Sequence, residues 1–254
     1  MWTDVIDLRD FYRTGIGRMA RRIIRDQIRT AWPDATGDNV LGLGYASPYL
    51  APFREEAERV VSVMPAQQGV LRWPADGPNL VTLTDEAELP FPDVSFDRVL
   101  LVHALECSEQ LRPMLREIWR VTNDGGRLLL VVPNRTGIWA RLDRTPFGHG
   151  LPYTPSQLAR LLRDSMFTPV GSSYGLYMPP SHRRMAIAAA PAWESIGGRW
   201  FPRFGGVLVT EASKQIYATS PAVTAPARRK RVYAAVPGRA SRHIDPATPD
   251  QRTG

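Results

Sequence analysis

This 254-residue chain has a single cysteine, Cys107, so no intrachain disulfide can form and a disulfide-stapled fold is excluded. No apolar run comes near the roughly eighteen residues that a membrane-spanning helix needs, which sets aside an integral helical membrane protein. The N-terminus carries acids early and has no continuous apolar stretch behind a basic start, unlike a secretory signal, so the expected compartment is the cytoplasm. Lysine is nearly missing as well. Only Lys214 and Lys230 stand among the 32 basic residues, an arginine bias that suits a GC-rich coding sequence and a bacterial source. No metal site is expected.

What is present points to a folded enzyme-sized domain. With 43% hydrophobic and 22% charged residues the chain can bury one substantial core, so disorder throughout is excluded. The formal net charge of +7 invites a nucleic-acid or anionic-surface partner, but its placement weakens that reading. Residues 219–254 hold seven basic against two acidic residues, a surplus of five that leaves only two for the rest of the chain. The same stretch has five prolines in 36 residues, so it reads as a basic, disordered tail.

The periodicity divides what precedes the tail. Residues 5–32 predict one helix, since Ile16, Met19, Ile23 and Ile24 recur at helical spacing while Arg18, Arg21, Arg22 and Arg25 take the intervening positions. Its basic face is a solvated surface or a contact for anionic lipid or nucleic acid. Residues 1–38 thus form a helical extension, and short apolar runs alternating with helical segments follow, the pattern of a parallel sheet wrapped by helices. The runs at 40–43, 59–63, 80–83, 98–102, 127–132 and 207–210 predict strands, with 167–170 a weaker one. Helices are predicted over 49–58, 111–120 and 155–165. Glycine- and proline-rich residues 134–153 suit a loop or lid, and 174–206 is an insertion rich in aromatics.

The first predicted strand runs into a turn at Gly42, Gly44, Tyr45 and Ala46, with a helix close behind. A strand, a tight turn and a helix N-terminus let a nucleotide-like cofactor approach the backbone, although many α/β domains have such a turn for packing alone. Further on come Asp85 and Glu86, then Leu89-Pro90-Phe91, Phe96-Asp97, Arg120-Val121 and Asp124-Gly125-Gly126. In order and spacing these elements resemble the central half of a class I S-adenosylmethionine-dependent methyltransferase of the type 11 kind, over about residues 39–134. The resemblance implies an α/β, Rossmann-like fold: a seven-stranded, mostly parallel sheet with helices on both faces and an antiparallel last strand, over residues 39–218. It implies S-adenosylmethionine as cofactor, bound by Gly42, Gly44, Tyr45, Ala46, Asp85, Glu86, Leu89 and His103. Asp85 stands where the family accepts the adenine amino group, and Leu89 belongs to an apolar wall beside the ring. Asp124-Gly125-Gly126 is the turn into the fifth strand.

Two departures from the family pattern matter. An acid is usual two residues before the first glycine, where this chain has Gly42, and another at the end of the second strand, where it has Val63, Met64, Pro65 and Ala66. Methyl transfer needs alignment and exclusion of water more than acid–base chemistry, and where the acceptor must lose a proton the candidates are His103 and His149. Tyr153, Tyr174 and Tyr177 are candidates to line an acceptor pocket. The expected function is methyl transfer to a small-molecule acceptor. The alternative is a catalytically inactive methyltransferase-like scaffold, which the missing carboxylates motivate. A nicotinamide-dependent dehydrogenase shares the glycine turn but not the later elements.

Overall fold

In the computed structural model, which describes residues 2–215, seven strands form one sheet in the order β3-β2-β1-β4-β5-β7-β6. They are β1 (Asn39–Gly44), β2 (Arg59–Pro65), β3 (Val81–Thr84), β4 (Phe96–Val102), β5 (Thr122–Pro133), β6 (Phe167–Gly175) and β7 (Val207–Lys214). The first five run parallel, and β7 lies antiparallel between β5 and β6. Every predicted strand is present, including the weak one at β6. The tail at 219–254 lies outside the described residues.

Alternation along the strands explains why both faces are covered. Val40, Leu100, Val102, Leu129 and Val131 point into one apolar cluster, and Leu41, Leu43, Val99, Leu101, Leu128 and Leu130 into the other. The first is covered by helices α1 (Val5–Arg13) and α2 (Gly15–Ala31) and by the short α3 (Ser47–Leu50). The second is covered by α4 (Leu111–Val121) and α5 (Pro155–Asp164). Helices α6 (Arg184–Ala188) and α7 (Ala190–Trp200) lie in the insertion between β6 and β7.

Two helix expectations need correction. Residues 5–32 form two helices because Thr14 is extended, its hydroxyl donating to the Phe11 carbonyl and accepting from the Gly17 amide. The predicted helix over 49–58 is one turn of α3 followed by a 3-10 turn, Ala51–Glu55, in which Pro52 has no amide hydrogen to donate. Residues 2–38 pack in the same compact unit as the sheet.

The Phe96-Asp97 element works at the amino end of the sheet. Asp97 accepts from the Asn39 amide at 2.8 Å, from the Asn39 side chain at 3.3 Å and from the Asn123 side chain, tying β1 and β5 across β4. Between Phe96 and Arg98 the pairing jumps from Thr122 to Arg127, so Asn123, Asp124, Gly125 and Gly126 loop out of register beside it. Burial pushes the Asp97 carboxyl up, but the hydrogen bonds from Asn39 and Asn123 outweigh it and hold the group below the ordinary aspartate range. Asp97→Ala is therefore expected to lower stability by about 2 kcal/mol at neutral pH. A depressed folded-state pKa stabilises above the unfolded-state value and loses that contribution as pH falls through the folded one, so in chemical denaturation the gap between the two proteins narrows on acidification.

Candidate functional site

The strand order reverses between β1 and β4, and in open parallel sheets ligands bind at the carboxyl end of such a switch point. Gly44 closes β1 there with φ +81°, and its missing Cβ makes room for the Val102 carbonyl, which the Tyr45 amide meets at 2.8 Å. Gly42 is constrained by packing, because a Cβ would run into Leu50 and Ala46. His103 follows β4 in the left-handed region at φ +50°, a conformation uncommon for residues other than glycine and one that concentrates at functional sites.

His103 is 2% exposed and both its ring nitrogens face protein. Tyr49 donates to the Tyr12 hydroxyl at 2.9 Å, and the Tyr12 hydroxyl lies 2.8 Å from His103 Nε2. With its oxygen accepting from Tyr49, Tyr12 donates its own proton to Nε2, which assigns the imidazole hydrogen to Nδ1. Nδ1 lies 3.3 Å from Oε1 of the buried Glu106. Burial raises the Tyr12 and Tyr49 phenols far above the ordinary tyrosine range, so the chain of hydroxyls stays neutral. Tyr12 also stacks on Tyr45, with centroids 5.5 Å apart and rings 11° from parallel.

Around this cluster, buried polar atoms stand without hydrogen bonds. They are the Trp2 Nε1, Gln68 Oε1, Glu86 Oε2, Ser108 Oγ and Glu106 Oε2, while Glu106 Oε1 faces the His103 Nδ1. Gln68 lies just beyond β2, Glu86 just beyond β3, and Glu106 just beyond β4. Trp2 is 6% exposed and shares an apolar cluster with Leu43, Leu89, Leu105 and Cys107. A buried acceptor left unpaired costs about 1–3 kcal/mol, and several at one strand edge are the mark of a place where a ligand or ordered water completes the bonding.

The other expected site residues differ in their surroundings. Leu89 and Ala46 are buried, and Tyr45 is nearly so. Asp85 is exposed at the rim, accepting from the Ala87 amide at 2.8 Å and the Gln110 side chain at 3.4 Å. Glu86 is fully buried, and its Oε1 accepts from the amides of Glu109 and Gln110 at the start of α4, where a negative charge suits the helix dipole. His149 is exposed in the 134–153 segment with Nε2 2.7 Å from the Asp143 carbonyl, which places the hydrogen on Nε2 and leaves the Nδ1 lone pair free. That segment reaches the centre: Phe147 lies 5.0 Å from the His103 ring, and the Leu151 amide donates to the Glu106 carbonyl. Tyr153 and Tyr177 each have a phenol pushed up to about 12, by burial first and by Glu106 and Glu194 respectively.

Sequence reasoning missed Tyr12, Gln68 and Glu106. Tyr12 meets His103 across 91 residues and had no local signal, whereas Glu106 stood three residues past His103, a spacing that invites an imidazole–carboxylate pair. Arg18, Arg21, Arg22 and Arg25 line a separate open groove of about 410 Å³ with Pro48, Ala51 and Pro52.

A donor-rich, positively charged ligand such as S-adenosylmethionine fits an acceptor-rich set of this kind, with Glu106, Glu86 and Gln68 present although β1 and β2 lack their usual acids. Comparison with known proteins bears on the same question. Residues 40–130 match the model of the methyltransferase domain family. Demethylmenaquinone methyltransferase from Deinococcus radiodurans is 37% identical over 70 residues, 27% of this chain, and the match spans only 29% of that relative's length. An S-adenosylmethionine-dependent methyltransferase from Thermotoga maritima superposes with a TM-score of 0.59 at 15% identity, covering 83% of this chain and 96% of the other. One from Archaeoglobus fulgidus gives 0.55 at 18% identity, over 76% and 94%. At such identities the structural likeness is one of fold.

Proposed function

We propose that this chain, which matches a methyltransferase domain family over residues 40–130 and shares its fold with S-adenosylmethionine-dependent methyltransferases, transfers a methyl group to a small-molecule acceptor. The observation that carries the reading is the set of buried, unpaired acceptors at the carboxyl ends of β2, β3 and β4. Bound there, S-adenosylmethionine supplies an electrophilic methyl group on a sulfonium leaving group. Glu106 and Glu86 offer negative charge to a cationic, amine-bearing ligand, and Gln68 offers a carbonyl oxygen to a hydroxyl beside the strand end that lacks an acid. Gly42, Gly44, Tyr45 and Ala46 shape the turn, Leu89 gives an apolar wall, and Asp85 sits at the rim. His103 holds Glu106 in place through Nδ1, while His149, with a free Nδ1 lone pair, is the group able to take a proton from an acceptor. The acceptor lies between segments 134–153 and 174–206.

Isothermal titration with S-adenosylhomocysteine tests this. Micromolar binding is expected for the wild type, weakened about tenfold or more by Glu106→Gln, since a charged hydrogen bond is worth roughly 1.5–3 kcal/mol. Asp85→Ala, which removes an exposed carboxylate, is expected to weaken binding by a smaller factor, on the order of threefold. The second reading, an inactive scaffold, is favoured by one arrangement: the Tyr45 amide is already bonded to Val102 and its ring is stacked under Tyr12. No binding to the wild-type protein would establish that reading in place of the first.

A further inference from the structure

The insertion between β6 and β7 exposes more large apolar surface than any packing role in the fold requires. Met185 is 86% exposed, Trp200 69%, Phe204 60%, Phe201 59%, Ile196 52% and Trp193 44%. Trp193, Ile196 and Trp200 recur at spacings of three and four along α7, which puts them on one stripe of that helix. The neighbouring buried stripe is fixed by Gly197, where a Cβ would sit 2.4 Å from the Tyr177 ring. Phe201 and Phe204 continue the apolar surface past the helix end.

The charges around this surface have one sign. Arg183, Arg184, Arg199 and Arg203 are all exposed, and none of their guanidinium groups joins an ion pair among the described residues. The acid in the segment, Glu194, is turned inward, accepting from the Leu176 and Tyr177 amides. Tryptophan and phenylalanine projecting outward among unpaired arginines are the composition of an element that lies in a membrane interface, rings at headgroup depth and cations on lipid phosphates. A second copy of the chain suits it poorly, because a two-fold contact would set guanidinium against guanidinium. No helix among the described residues is long and apolar enough to cross a membrane, so the contact is peripheral.

We propose that residues 183–204 form a docking surface for an anionic lipid bilayer. The proposal does not rest on methyl transfer. Its location still matters: β6 ends and β7 begins beside Pro133 at the carboxyl end of β5, so the docking element leaves the sheet at the edge that carries the candidate site.

The test is co-flotation of the full chain with vesicles of equal phosphatidylcholine and phosphatidylglycerol, and with vesicles of phosphatidylcholine alone. Binding to the anionic vesicles is expected to exceed binding to the neutral ones by on the order of tenfold or more. Combined Trp200→Ala, Phe201→Ala and Phe204→Ala should reduce it by a similar factor with no fall in melting temperature, since these side chains are exposed. Combined Arg183→Gln, Arg199→Gln and Arg203→Gln should reduce the preference for anionic lipid. The proposal is overturned by failure of the wild type to float, by equal binding to both vesicles, or by anionic binding that both variants retain. It is equally overturned if light scattering finds a wild-type dimer that the aromatic variant makes monomeric, which would assign the surface to a second copy.

Discussion

Gly44→Ala is expected to destabilise the protein by about 3 kcal/mol, the sum of a left-handed backbone penalty and local overpacking. At φ +81° an added Cβ would stand 2.5 Å from the Val102 carbonyl and 2.9 Å from the Ala104 side chain, and the carbonyl is held by the Tyr45 amide. Neither neighbour is a flexible chain end that can swing aside. Gly37 provides the control, having φ +77° with nothing within 4 Å of its Cβ position. Gly37→Ala should show the conformational part alone, about 1 kcal/mol. Urea denaturation of the two variants separates the effects, and equal losses would show that the close approach of β1 to the end of β4 is not what requires glycine at Gly44.

The contrast between those glycines bears on what a sequence can disclose. The strands could be read because a parallel sheet buried on both faces needs continuous apolar runs, and those runs are visible without knowing their partners. The late strand β7 is antiparallel as the resemblance implied, and the structure places it between β5 and β6. Helix boundaries were less visible where the decisive feature was one residue, as at Thr14, whose hydroxyl caps one helix while closing the last turn of another. At the site, Gly44, Ala46, Glu86, Leu89 and His103 were visible as positions along single strands and turns. The surroundings that give them meaning were not, because Tyr12 stands 91 residues from His103 along the chain and Gln68 carries no pattern of its own. Asp85 and Glu86 illustrate the limit: adjacent acids in the sequence, one exposed as a turn cap and the other fully buried beneath the start of α4.

Trp139→Ala is expected to cost about 4 kcal/mol, in the range for removing a buried large aromatic side chain. Trp139 is 1% exposed, donates from Nε1 to the Met178 carbonyl at 2.7 Å, and packs so closely on Gly206 that a Cβ there would meet its ring at 2.3 Å. It therefore joins the 134–153 segment to both ends of the 174–206 insertion. Its ring also meets Phe147 edge-on at 5.5 Å, and Phe147 in turn lies against His103. Trp139→Phe keeps most of the ring contact and loses the hydrogen bond, leaving the Met178 carbonyl unpaired, so about 1–2 kcal/mol is expected there. Chemical denaturation gives both values. The phenylalanine variant, still folded, then serves for titration with S-adenosylhomocysteine. Since Trp139 reaches the His103 ring through Phe147, binding should weaken by a smaller factor than Glu106→Gln produces. A loss below about 1 kcal/mol for Trp139→Ala would mean that the two segments do not close on one another through this ring, and the acceptor site placed between them would lose its rigid wall.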